Sequence, residues 1–430
     1  MEGHLPANGK LHEPTRSASA NTAKPDHPND QSRKVAAIYE ACDAHDFRAL
    51  TRLAVSSCGL VHDTARQRAW PILLGSDQTG LSDASASKPQ HWESLPEHKD
   101  ERQVQLDVDR AFIYYPSSES PVTAHLALAY STPPDISPKE LDRRKDQLSA
   151  LITSTLRCHP HLNYFQGYHD IAQVFLLVLG PTLSPPALAR LSLLRIRDFM
   201  LPSLQPSLAH LLLLPPLLCT AEPRLHNYIS HSQPFFALAA TLTLYAHDIQ
   251  EYSDIARLFD ALLAREPVFS IYLFAQTVLL RKDELFDIGP DEPEMLHAVL
   301  SKLPHPLDLE ALLDDATSLF ERFPPESLRP WRRLSSASVL KTARHPEQAA
   351  AQKIEEGERL LEVQEKQLRR EEILRAAQAQ LWKYRRPAVT AGLTVLVGIL
   401  SWWIRKNDGV ANGLLAALTR RLNALWVSVT

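Results

Sequence analysis

Apolar residues along this chain recur every three or four positions rather than alternately. Val35, Ile38 and Cys42, then Phe47, Leu50 and Leu53, keep that period from Lys34 onward, which places them on one face of an α-helix. Leu141, Leu148, Leu151, Ile152 and Leu156 repeat it between Lys139 and Arg157, with Arg143, Arg144 and Lys145 between the first two. The pattern predicts further helices over roughly 101–112 and 168–179, then Pro-separated helices to about Phe323. Period-two alternation with β-branched enrichment is almost absent, so few strands are expected. No repeat at a fixed period occurs. The expected fold class is all-α.

Breaks in the pattern give the expected domains. Residues 1–33 are rich in Pro, Asn, Ser, Lys and Asp and read as a disordered tail. Helical patterning then covers 34–330, interrupted by a polar loop over 76–99 and a Ser/Pro-rich insert over 116–138. The insert carries a short helical stretch at 124–129. Residues 331–346 read as a linker and 347–386 as a long charged helix, supported by the i,i+4 pairs Glu362/Lys366 and Glu365/Arg369. Its apolar seam, Leu361, Leu368 and Leu374, is ragged, which suits a solvated spacer better than a coiled coil.

An uncharged run of 18 residues follows, Pro387 to Ile404, bounded by Arg385 and Arg386 on one side and Arg405 and Lys406 on the other. At about 1.5 Å per residue it reaches roughly 27 Å, close to a hydrocarbon core of about 30 Å. Trp402 and Trp403 stand where an interfacial aromatic belt would lie. A single membrane span near the C-terminus is expected, with the lipid bilayer as partner of 387–404. Seven Lys/Arg occur over 366–386 against four after the run, so the large N-terminal part is expected in the cytosol and 405–430 as a short luminal tail. Leu414, Leu415, Leu418, Leu422, Leu425 and Trp426 give that tail an apolar face that could also touch a membrane.

Composition narrows the function. At 44% hydrophobic and 22% charged residues, the 430-residue chain can bury a large core. A formal charge of −4 argues against an electrostatic nucleic-acid binder. The polar, Pro-rich start has no apolar run of the signal-peptide kind. Cys42, Cys58, Cys158 and Cys219 form no C-x-x-C pair. They read as scattered, mostly buried thiols of a reducing compartment, with neither zinc cage nor redox pair.

Three strings carry candidate chemistry. Arg66 to Gly75 has the form R-x-x-x-W-x-x-L-L-G, Val104 to Arg110 the form V-x-x-D-x-x-R, and Tyr164 to Gly167 the form Y-x-Q-G. Taken alone, Arg110 with Asp107 three residues earlier is equally an ordinary surface pair. Gln166 sits at a turn into an apolar helix, and Trp70 reads as a core aromatic. His169-Asp170 and His247-Asp248 are two His-Asp pairs, the donor types of metal-dependent phosphohydrolases. They are read here as caps or core polar contacts, and no metal or other cofactor is expected.

In order and spacing the three strings resemble the TBC domain of Rab GTPase-activating proteins. Leu258 to Leu263 with Asp260, and Glu266 to Leu273, are similar to later helices of that family. The Tyr168-His169-Asp170-Ile171 continuation and Arg197 to Met200 resemble the branch anchored in the endoplasmic reticulum by a C-terminal hydrophobic segment. The resemblance runs from roughly Arg66 to Phe323. It implies a GTP-bound Rab GTPase as partner, with GTP and magnesium carried by that partner. It assigns Arg110 as an arginine finger and Gln166 as a glutamine finger that orients the attacking water. Asp107 would hold the geometry of Arg110, Tyr164 would position the glutamine loop, and Arg66 and Trp70 would be structural supports. Location at the endoplasmic-reticulum membrane, serving transport toward the Golgi, follows from the branch. A membrane-anchored Rab effector or tether without turnover is the alternative, against which intact Arg110 and Gln166 argue.

Overall fold

Pro at the first helical position and an acid in the first turn are favourable helix starts, and Pro28 and Asp30 supply both for α1 (Pro28–Asp43). Residues 28–33, expected to be disordered, are thus helical. The computed structural model describes residues 28–77, 92–112, 137–229, 233–289 and 292–406, with positions 413, 417, 419 and 420. The short helix expected at 124–129 lies outside the described residues. Among those described there are helices and no strands, so the fold is all-α.

Local signals place the next helices. Asp46 caps α2 (Phe47–Val55) by accepting from the Ala49 amide at 2.9 Å. α3 (Asp63–Leu74) ends at Gly75, whose φ of 71° is the left-handed C-cap conformation. A Cβ at Gly75 would also lie 1.9 Å from the Ala350 carbonyl oxygen, so glycine permits both the turn and the close approach. α4 (Glu101–Val108) is shorter than the 101–112 expected. Beyond it Phe112 takes φ 64° and its buried amide donates to Gln173 Oε1 at 3.1 Å, which pulls the chain off the helical path.

α5 (Pro138–Cys158) and α6 (Tyr168–Leu194) form the spine, packing on each other, with α6 also against α3. The apolar pattern predicts the end of α6 near 179. Instead a break at Gly180 (φ 72°, ψ 175°) lets a second helical stretch run on to Leu194. By length and composition α6 could cross a membrane, but most of it is buried inside the protein, as for a core helix. Trp70 packs on Phe175 of α6 at 5.6 Å between ring centroids and on Phe259 at 6.0 Å.

Short helices follow: α7 (Gln205–Leu211), α8 (Leu214–Ala221), α9 (Pro223–Ile229) and α10 (Leu238–Leu242). Longer ones close the core. α11 (Tyr252–Ala264) packs on α2 and α3, and α12 (Phe269–Leu280) on a later helix, α15. α13 (Lys282–Asp287) and α14 (Pro293–Leu300) precede α15 (Leu309–Arg322).

The expected linker over 331–346 is not a spacer. Trp331, Val339, Leu340 and Ala343 are buried, and the compact unit extends to Gln364 rather than ending near 330. α16 (Val339–Thr342), α17 (Pro346–Ala351) and the start of α18 (Ile354–Lys406) belong to it. Asp198 and Arg197, both fully buried, hold this segment. Asp198 accepts from the Val339 amide (3.1 Å), Gln364 Nε2 (2.8 Å) and Ser338 Oγ, and faces His210 Nε2 at 2.8 Å. Arg197 donates to Gln364 Oε1 at 2.9 Å and to the Ala337 carbonyl.

The second unit runs from Glu365 and contains the remainder of α18. Within it Ala391–Trp403 is an apolar helical stretch. Leu393, Val395, Leu396, Val397, Ile399, Leu400, Trp402 and Trp403 are all exposed and cover most of the helix circumference, with Ala391, Thr394, Gly398 and Ser401 on the remaining strip.

The cysteines differ from expectation. All four are free, but only Cys42 is buried; Cys158 and Cys219 are exposed and Cys58 is intermediate. Cys158 is the last residue of α5, and Cys219 lies in the last turn of α8.

Glu266 gives the fold a pH signature. It pairs with Arg344, which also binds Glu326, while Glu266 Oε2 is buried without a partner. Burial outweighs the pull of Arg344 and pushes this carboxyl up to about 7. An unfolded Glu titrates near about 4.3, so between these values the folded state holds a proton that the unfolded state has lost. This contribution to stability is therefore full below about pH 4.3, falls as pH rises through the window, and is flat above it. Urea midpoints taken across that range should change less with pH in Glu266→Gln than in the native chain.

Candidate functional site

The first string builds a buried anchor. Arg66 donates through Nε to both oxygens of Asp260 at 3.1 and 3.2 Å, and through Nη1 to Asp63 at 2.8 Å. Trp70 Nε1 donates to Asp260 Oδ1 at 2.8 Å and the Leu60 amide to Asp260 Oδ2 at 2.9 Å. Asp260 and Trp70 are fully buried and Arg66 nearly so. Burial alone would lower the Arg66 guanidinium, but Asp260 and Asp63 more than offset it, so it stays charged. These side chains are enclosed and committed to one another.

The second and third strings meet at Asp107. This carboxylate, at 0% exposure, accepts from Arg110 Nη2 at 2.7 Å through Oδ1 and from the Tyr164 hydroxyl at 2.9 Å through Oδ2. Gln103 Nε2 adds a donor at 3.2 Å. The Arg110 side chain remains 67% exposed beyond its buried partner. Lys145 donates to the Asp109 carbonyl at 2.6 Å and so ties α5 to the turn that carries Arg110.

Tyr164 leads into the glutamine turn. Its amide donates to Asp100 Oδ2 at 3.0 Å, and the neighbouring Asn163 amide to the Met200 carbonyl at 2.8 Å. Phe165 is buried, Gln166 is exposed, and Gly167 at φ 99° starts α6. A Cβ on Gly167 would lie 2.5 Å from Thr243 Cγ2. Glycine thus lets Gln166 stand at the surface immediately before a buried helix. Burial, reinforced by Asp107, pushes the Tyr164 hydroxyl well above its usual value, so it is a permanent donor.

The two His-Asp pairs also converge here. His169 Nδ1 lies 3.2 Å from the Tyr164 hydroxyl and its Nε2 3.3 Å from Asp170 Oδ1. His247 Nδ1 lies 3.2 Å from Asp170 Oδ2. Burial lowers His169, while the hydrogen bond to Asp170 raises His247. Among the described residues, no three His, Cys, Asp or Glu side chains are arranged to hold a metal ion. Gln166, His169, Asp170 and His247 line one open groove with Leu204 and Phe235, both half-exposed. The sequence reading gives His169 only cap, core or metal roles and misses Asp100 and Gln103. The contact that recruits Asp100 crosses 64 residues of chain, and those of Gln103 and His169 span only 4 and 5 residues of ordinary sequence.

In an all-helical domain one buried acid thus holds exposed Arg110 directly and, through Tyr164, the turn that carries exposed Gln166. The Rab-GTPase-TBC domain model matches residues 63–286, and the chain belongs to that family of Rab GTPase-activating proteins, with a Rab GTPase as partner. It is 32% identical over 310 residues to TBC1 domain family member 20 of Homo sapiens, covering 71% of each chain. It is 28% identical over 288 residues to GTPase-activating protein gyp10 of Schizosaccharomyces pombe, covering 66% of this chain and 71% of that one. Among solved structures, the Chlamydomonas flagellar RabGAP TBC domain is similar at TM-score 0.44 and 13% identity, covering 69% of this chain and 96% of that one.

The two networks should separate in stability measurements. Asp260→Ala removes the fully buried carboxylate of the Arg66 and Trp70 network, leaving the guanidinium only Asp63, and should lower unfolding free energy by on the order of 3–5 kcal/mol in urea titrations. Arg110→Ala, at an exposed position, should change it by less than about 1 kcal/mol.

Proposed function

We propose that this chain accelerates GTP hydrolysis on a GTP-bound Rab GTPase by inserting Arg110 and Gln166 into the partner's nucleotide site. A lone GTPase is slow because charge growing on the transferred phosphoryl group is not neutralised and the attacking water is loosely held. A guanidinium supplied in trans meets that charge, and such fingers are worth roughly 10³ to 10⁵ in rate. A side-chain amide can accept from and donate to the water at once, which aligns it for attack. The carrying observation is that fully buried Asp107 binds both Arg110 and the tyrosine two residues before Gln166. Two solvent-exposed groups thereby share one support before any partner arrives. The chain brings no metal or cofactor of its own; nucleotide and magnesium come with the GTPase.

The same reading places the chain on the endoplasmic-reticulum membrane through 387–404, with residues up to 386 in the cytosol. Its support is the broad, exposed apolar surface of Ala391–Trp403, the flanking basic residues, and the resemblance to the anchored branch.

Arg110→Ala and Gln166→Ala should each reduce stimulated hydrolysis on the order of 10²-fold or more, about 3 kcal/mol. Single-turnover assays across a panel of Rab GTPases would read this. Arg110→Lys should rescue poorly, because an ammonium cannot reproduce the planar fork. Activity in either alanine variant equal to the native chain would rule out that finger.

Orientation is tested separately, by protease protection on sealed vesicles. An N-terminal tag should be digested and a C-terminal tag protected until detergent is added. Equal digestion of both tags would exclude a single span.

A further inference from the structure

We infer that His169 is a positioning residue that couples the arginine and glutamine fingers, its ring bridging Tyr164 to Asp170. The inference rests on the two-finger reading above and adds a group outside the three strings. Contacts run unbroken from Arg110 to Asp107 (2.7 Å), Tyr164 (2.9 Å), His169 (3.2 Å), Asp170 (3.3 Å) and His247 (3.2 Å). They join the α4 turn, the glutamine turn, the first turn of α6 and the segment after α10. Only the ends are open to solvent: the Arg110 side chain is 67% exposed and that of His247 59%, against 13% for His169 and 15% for Asp170.

Proton counting assigns the role. The Tyr164 hydroxyl has one proton, and carboxylate Asp107 is the stronger acceptor for it. The hydroxyl oxygen then needs a donor, and His169 Nδ1–H is the group in place. That second bond holds the phenol ring, and so the backbone two residues before Gln166, in the orientation that also braces Asp107 beneath Arg110. Burial favours the neutral ring, whose one N–H goes to Tyr164 because Nδ1 is in hydrogen-bond geometry with that hydroxyl, whereas Nε2, 3.3 Å from Asp170, is not aligned as a hydrogen bond to it. Asp170 is served instead by His247.

The ring's two nitrogens are separable by substitution. His169→Asn keeps an amide nitrogen near the place of Nδ1, facing Tyr164. His169→Gln moves it toward the place of Nε2, facing Asp170. The full chain, reconstituted in vesicles, is assayed for single-turnover hydrolysis on a GTP-loaded Rab GTPase over a range of concentrations, giving kcat and half-saturation. His169→Ala should lower kcat about tenfold and leave half-saturation within about twofold, because it loosens groups used in the transition state rather than in docking. His169→Asn should recover most of that loss and His169→Gln little of it. In a Tyr164→Phe background, His169→Ala should cost less than about twofold more, as expected of coupled groups. Melting curves identify any variant that fails to fold, and the Asn-against-Gln comparison then carries the test. Native kcat in His169→Ala, or equal activity in Asn and Gln variants, overturns the role of His169 while native stimulation leaves the two-finger reading standing. A native chain that stimulates no GTPase overturns both.

Discussion

A carboxylate in a protein interior is tolerable only if donors surround it, and three fully buried aspartates organise this molecule under that constraint. Asp260 gathers Arg66, Trp70 and the Leu60 amide, and so locks α3 and the turn before it to α11. Asp198 gathers the Val339 amide, Ser338, His210 and Gln364, and so draws the chain after 330 into the core. Asp107 gathers Arg110, Tyr164 and Gln103. The first two spend their charge on enclosed partners. Asp107 alone of the three holds a cation that is still largely in water.

On the proposed function, that difference separates support from chemistry. An arginine meant for another protein's active site has to be exposed, yet a long exposed side chain loses rotamer entropy when it is immobilised. Fastening one guanidinium nitrogen to a rigid buried acid removes part of that entropy before docking and leaves the other donors free. The glutamine side is prepared differently. Gly167 makes the turn, the Asn163 and Tyr164 amides are tied to Met200 and Asp100, and buried Phe165 pins the strand of chain between them. Gln166 itself has freedom to adapt.

Much of this was legible in the sequence, and the exceptions have physical causes. Helical period, proline punctuation and the three strings locate the helices and the Asp107, Arg110, Tyr164 and Gln166 group, because these signals are local. The extent of the domain was not legible. Residues 331–346 are polar and Pro-bounded, and their burial depends on Arg197 and Asp198, more than 130 residues away. The length of α6 was hidden by Gly180 and three prolines, which read as a helix end but here sit at a kink and its second start. His169 looks like a cap or a metal ligand until Tyr164 is seen against its ring. The cysteines mislead because burial tendency is an average over many proteins and does not fix the face on which a given thiol falls.

The central claim is that this chain brings its own glutamine as well as its arginine. The direct measurement is stimulated GTP hydrolysis on a Rab GTPase whose own switch glutamine has been replaced, comparing the native chain with Gln166→Ala. Native stimulation should largely survive the replacement, and Gln166→Ala should abolish it. A GTPase variant fully resistant to the native chain, with Gln166→Ala still active on the unmodified GTPase, would contradict it.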